Sequence, residues 1–294
     1  MSNVRMPVQQ GPDARPEFEF DSVSHMMEVA FARGHARACG SASECDEVLR
    51  GQGSSWVNHA TTDSLTRSMR EPQPRLVGAV QDMKRRIEDA VQSPTRERRK
   101  LRRRQEDGDD LDPQAVAERR LDAWDRVEHR SVPKHVVTIG INLSVSSSCR
   151  PEHLLYRGAA AAALADLLTQ GGHSVEVVGF LAASHPSADY SCESVLTRVV
   201  VKPADVPLDI TSLSVALAEI GYFRLVVMVA MGRVLPTKVS GGFGRPRSLS
   251  QEERRGVDVV LDAGVFSQDQ AERVVREAMS KFGAEEGKEA RWAH

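Results

Sequence analysis

The sequence predicts an α/β fold with a Rossmann-like, mostly parallel sheet, an antiparallel edge strand and a small helical N-terminal region ahead of it. Three observations predict this. "HVVTIGI" (135–141) and "SVEVVGFL" (174–181) are continuous apolar runs of strand length, the pattern of strands covered on both faces. Between them lies a long helical pattern that opens at Pro151 and stops at Gly171 and Gly172, and strand, helix and strand together make a right-handed βαβ crossover. The connection "AASHPSADYSCES" (182–194) has no room for a packed helix, so "VLTRVVV" (195–201) is expected to return antiparallel at an edge.

The chain has 294 residues, enough for one substantial core and a smaller module. Residues 1–16, rich in Pro, Gln and Gly, read as a disordered leader, and 17–93 as a helical region. Asp21, Ser22 or Ser24 can cap a first helix with Met26, Met27, Ala30 and Phe31 at helical spacing. Cys45, Val48 and Leu49 suggest a second, short helix, and a loop surrounds Trp56. Leu76, Val80, Met83, Ile87 and Val91 form the apolar stripe of a longer helix.

Residues 94–112 carry the sharpest charge pattern: Arg96, Arg98, Arg99, Lys100, Arg102, Arg103 and Arg104, then five acids up to Asp112. So dense a like-charge block reads as a linker or an exposed helical arm. Asp112 and Pro113 look like an N-cap and first helical residue, and the helix they open is expected to present Val116, Leu121, Trp124 and Val127. It leads into an α/β domain over 113–285, with 286–294 as a tail. In that domain Leu154, Leu155, Ala159, Ala162, Leu164, Leu167 and Leu168 mark the buried side of the crossover helix. A short helix follows Thr211, "RLVVMVAMG" (224–232) is read as the next central strand and "VDVVLDA" (257–263) as another, and a helix over roughly 268–282 closes the fold.

Several function classes find no support. Net charge is −2, so any polyanion must be met by a local patch. The chain shows neither a signal-peptide pattern nor an apolar run of membrane-spanning length. Cys39, Cys45, Cys149 and Cys192 are scattered without zinc spacing, and no P-loop, G-x-S-x-G or H-E-x-x-H is present. No cofactor or metal, no catalysis and a cytoplasmic location are the expectations.

Ligands of open α/β sheets collect at the carboxyl ends of strands. The loops expected there hold Asn142, Ser144 and Ser146, then Thr211 and Ser212, then Met231 and Gly232. This order of elements, with an N-x-S-x-S loop, a Thr-bearing loop and "VVMVAMG", resembles von Willebrand factor A-type domains over about residues 134–282. The resemblance implies a divalent cation held by Asp-x-Ser-x-Ser, a Thr and a further Asp. Asn142 stands for the first Asp and Met231 for the second, so the implied adhesion site is degenerate, since hard cations need anionic oxygen ligands.

Over nearly its whole length, through "FDSVSHMMEVAFARGHA", "DGDDLD", Trp124 and "YRGAAAAALADLLTQGGHSVEVV", the chain also resembles an uncharacterised bacteriophage and prophage family. That implies the host-cell cytoplasm as its setting. The expected function is protein-protein assembly, with a second copy as one candidate partner, through a rim of Asn142, Ser144, Ser146, Thr211 and Ser212. The alternative is a nucleic-acid-binding accessory protein that uses Arg96, Arg98, Arg99, Lys100, Arg102, Arg103 and Arg104.

Overall fold

The computed structural model describes residues 17–31, 71, 73–88, 97–105, 107, 110–131, 135–145, 149–184, 194–219 and 245–292, with single positions between 64 and 70 and between 222 and 230. In chain order the elements are β1 (Glu17–Phe20), α1 (Val23–Phe31), α2 (Pro74–Glu88), β2 (Glu97–Gln105), β3 (Asp110–Leu111), α3 (Pro113–Ala117), β4 (Trp124–Ser131), β5 (Val136–Asn142), α4 (Pro151–Gln170), β6 (Ser174–Ser184), β7 (Ser194–Lys202), α5 (Ile210–Ala218), β8 (Arg245–Pro246), β9 (Val259–Leu261) and α6 (Gln268–Trp292). The expected leader, the short helix around Cys45 and the Trp56 loop lie outside the described residues.

The chain is α/β and Rossmann-like. One sheet runs β1-β7-β6-β5-β9, with β8 paired to the far end of β6. β5 is parallel to β6 and to β9, β7 returns antiparallel along β6, and β1 lies parallel against the outer side of β7. Both central strands carry almost only apolar residues, as burial on two faces requires. The crossover helix α4 is buried nearly all round through its Ala159–Ala163 run. Close helix contact explains Gly158: a Cβ there would stand 2.5 Å from the carbonyl oxygen of Leu217 in α5.

The N-terminal residues join this core. Phe18 and Phe20 of β1, Met26 of α1, and Leu76, Val80, Met83 and Ile87 of α2 share one apolar cluster with Val137, Leu164 and Leu217. The Lys84 ammonium meets the Asp166 carboxylate at 2.6 Å, tying α2 to α4 where both side chains are largely covered. The charged segment therefore does not divide two cores among the described residues. Ser22 accepts a bond from the His25 amide at 3.0 Å and caps α1, one of the three caps expected.

Three sequence expectations are corrected. Within the stretch 224–232 the described residues Val226, Val227, Val229 and Ala230 are helical and buried, not part of a central strand, and β9 takes the place beside β5. A short apolar run fits a buried helix as well as a buried strand, so periodicity could not separate them.

The helix opened by Asp112 is only five residues long. Asp112 does cap it, accepting from the amides of Gln114 and Ala115, but α3 closes after Ala117. There the amides of Arg119 and Arg120 bond back to the carbonyls of Val116 and Ala115 at 2.9 and 3.0 Å, with Arg119 at φ 54°. That is a Schellman stop with arginine in the position usually taken by glycine. Trp124 and Val127 fall in β4 instead, so the spacing that suggested one helical face was coincidental.

From Glu97 on, the arginine block is strand and not the helical arm expected. It forms β2, in a separate three-stranded sheet of order β2-β4-β3. Among the described residues no helix is long and apolar enough to cross a membrane.

Candidate functional site

At the carboxyl ends of β5 and β9 a polar hub closes the sheet. Asn142, the last residue of β5, is fully buried, and its amide donates to Asp262 Oδ1 at 2.8 Å and to the Arg247 carbonyl at 2.9 Å. Its own Oδ1 accepts from the Ser144 amide at 3.0 Å, an Asx turn that bends the chain off the strand. Ser144 is 3% exposed, and its hydroxyl accepts from the Ala182 amide of β6 at 2.8 Å.

Asp262 follows β9 directly. Its carboxylate accepts from the amides of Leu249, at 3.2 Å, and Ala263, at 2.7 Å, and from the Arg254 guanidinium. Beneath it Arg157 of α4 is fully buried and donates to four carbonyls: Asn142, Ser144 at 3.3 Å, Ala263 at 3.1 Å and Val265 at 3.3 Å. Burial lowers the Arg157 pKa to about 10, against the pull of the Asp262 charge. One guanidinium thus staples the loops after β5 and β9 to α4, which is how a buried charge is made tolerable.

A second ion pair braces the β8 side of the hub. Arg247 holds Glu253 bidentately at 2.8 and 2.6 Å, and Glu253 also accepts from the Ser250 amide at 2.7 Å. Burial pushes the Glu253 carboxyl up, but the bonds from Arg247 and Ser250 and the Arg247 charge outweigh it and hold the pKa down at about 2.

Thr211 and Ser212 stand at the other end of the sheet. β7 runs down β6 until Lys202 pairs with Val177, and the Lys202 ammonium donates to the Val175 carbonyl at 2.6 Å near the start of β6. α5 begins beyond that point and climbs back, so that its last turn, not its first, meets Gly158 beside Arg157. Asp209 is the α5 cap, accepting from the Thr211 amide at 3.0 Å and the Ser212 hydroxyl at 2.6 Å.

The four described rim residues are therefore not brought together: Asn142 and Ser144 are interior, and Thr211 and Ser212 lie at the opposite edge; Ser146, Met231 and Gly232 lie outside the described residues. The strand-end carboxylate is Asp262, which sequence reasoning missed by giving its strand position to 224–232. The signal available was "VVLDAG", an acid closing an apolar run.

The hub leaves little for a metal ion to do. Asp262 accepts from three N–H donors and a guanidinium, and Arg157 already supplies positive charge at the strand ends. No group of three or more His, Cys, Asp or Glu residues with ligating geometry occurs among the described residues.

The second candidate is the ribbon of β2 and β4. Its antiparallel register sets Arg98 opposite Arg130, Lys100 opposite Glu128, and Arg102 opposite Arg126. Residues opposite each other share a face, and alternation along β4 places positions 124, 126, 128 and 130 on that same face. Five cations and one acid thus occupy a single row. Like charges set directly opposite each other weaken a strand pair, and the register does this twice here. Past Arg102 the register shifts, resuming with Gln105 opposite Trp124, a bulge that locally twists the ribbon. Of the predicted basic residues, Arg98, Arg99, Lys100, Arg102, Arg103 and Arg104 lie in β2, while Arg96 is outside the described residues.

A family model described as a domain of unknown function, DUF7192, matches residues 9–286, and the chain belongs to that family. No curated protein and no solved structure matches the chain.

Proposed function

We propose that this DUF7192 chain is a non-catalytic nucleic-acid-binding protein, in which the Rossmann-like domain is a closed scaffold and the β2–β4 ribbon is the binding element. The observation that supports this reading most is the opposition of Arg98 to Arg130 and of Arg102 to Arg126 on one face. Like charges so placed repel in the free protein, and a phosphate backbone relieves the repulsion on binding.

Assembly through the strand-end rim is the weaker reading. It assigned recognition to side chains that are spent inside the hub or stand at the other end of the sheet. The resemblance to von Willebrand factor A-type domains enters the proposal as ancestry of the strand-end loop, with Arg157 in the electrostatic role a cation would have. A bacteriophage or prophage setting in the host cytoplasm rests on the whole-chain resemblance alone.

Fluorescence anisotropy with a labelled 30-nucleotide strand at 50 mM salt tests the proposal. The wild-type chain binds, and R98S/R102S/R126S/R130S loses at least tenfold in affinity while its far-UV dichroism and melting temperature are kept. Equal affinity of the two proteins, or no binding by the wild type, rejects it.

A further inference from the structure

We infer that Trp124 ends the cationic row as a base-stacking platform, which makes single-stranded nucleic acid the ligand class of the ribbon. The inference rests on the ribbon reading and adds to it a ligand conformation and a residue that reads it.

Trp124 is the first residue of β4, on the face shared by Arg126 and Arg130, and its register partner on the other side is Leu111 of β3. Both are open to solvent, Trp124 at 37% and Leu111 at 39% exposure, and Leu121 in the preceding turn is 89% exposed. Large apolar side chains that are register neighbours and more than a third exposed, as Trp124 and Leu111 are, mark a contact surface. Trp and Leu alone would suit an apolar peptide equally well. The row of Arg98, Lys100, Arg102, Arg126 and Arg130 decides between the two, because it complements a polyanion.

Arg119 strengthens the assignment. It is held at φ 54° in the turn just before Leu121, a conformation that glycine would adopt without strain. Its side chain makes no hydrogen bond or ion pair among the described residues, whereas its neighbour Arg120 is paired with Asp122 at 2.8 Å. Arg119 adds a cation two residues before the exposed Leu121, without an ion-pair partner among the described residues.

The ligand's conformation follows from the indole. A duplex hides the faces of its bases in the stack, while a single strand exposes them, and base–aromatic stacking is tolerant of sequence. At a rise of about 3.3 Å per residue, Trp124 and Arg130 lie about 20 Å apart along β4, room for a strand whose phosphates follow the arginines while one base covers the indole.

Titration of the full chain with oligo(dT) of 30 nucleotides and with a 30-base-pair duplex, read by intrinsic tryptophan fluorescence and by anisotropy, tests this. Oligo(dT) is expected to quench part of the emission, the quench to disappear in W124F, and W124A to bind oligo(dT) about tenfold or more weakly while W124F keeps most of the affinity. Duplex affinity is the same in all three proteins. If W124A holds oligo(dT) as tightly as the wild type, or if the wild type prefers duplex at equal salt, stacking is wrong and the ribbon reading stands. If no nucleic acid binds and an apolar peptide quenches Trp124 instead, both readings fall and the patch is a protein-docking surface.

Discussion

Replacing Arg157 by methionine should be the most damaging single change to the scaffold, because it removes donations to four carbonyls and leaves Asp262 with one cation fewer. The side chain is fully buried, so water does not replace it freely. Four bonds from a charged group at about 1.5 kcal/mol net each, the low end because two of them are long, give about 6 kcal/mol. Breaking a buried charged network by removing one partner costs about 3 to 5 kcal/mol, a slightly lower figure. For a chain of this size each kcal/mol moves the melting temperature by about 2 to 4 °C, so a loss of about 3 to 6 kcal/mol should make R157M melt roughly 6 to 24 °C lower. R157K keeps the charge but not the planar fork, and should fall between the two. Thermal unfolding followed by circular dichroism gives the comparison. A melting temperature within about 2 °C of wild type for R157M would show that the strand-end loops are held by something other than this guanidinium.

Other expectations follow from the same hub and from the α3 turn. Glu253 titrates at about 2 when folded, below its ordinary 4.5, so its stabilisation is complete above pH 4.5 and is lost as the pH falls toward 2. Urea unfolding at pH 6 and pH 3 should show that wild type loses about 2 kcal/mol more than E253Q over that interval; equal acid sensitivity of the two proteins would contradict the assigned partners. Arg119→Gly should raise stability by about 0.5 to 1 kcal/mol, since φ 54° is strained for arginine and relaxed for glycine. A less stable R119G would mean that the arginine side chain contributes packing that outweighs the strain.

Much of the scaffold could be read from its periodicities. β5, α4, β6 and β7 appear where apolar runs and helix punctuation put them, and the stripe from Leu76 to Ile87 is the buried side of α2. β1 was readable in principle from Phe18 and Phe20, whose alternation is the strand period, but four residues are too few to outweigh the helical pattern that follows. β2 was hidden for a different reason. A run of arginines has no apolar alternation, so only its pairing with β4, a non-local fact, makes it a strand.

The hub was hidden in the same way. Asn142, Arg157 and Asp262 come from three distant segments, and nothing in the spacing of any one of them announces the other two. One local hint was present: Arg157 is the single cation in a helix otherwise buried among alanines and leucines, a place where charge survives only with partners.

The ribbon is tested most directly by the salt dependence of binding to a single-stranded oligonucleotide. With about five phosphates neutralised by Arg98, Lys100, Arg102, Arg126 and Arg130, the logarithm of the association constant should fall against the logarithm of salt concentration with a slope near −3.5. R98S/R102S/R126S/R130S, which leaves Lys100, should flatten that slope to about −0.7. A wild-type slope near zero, or one that the four substitutions leave unchanged, would contradict the assignment of the ribbon as the binding element.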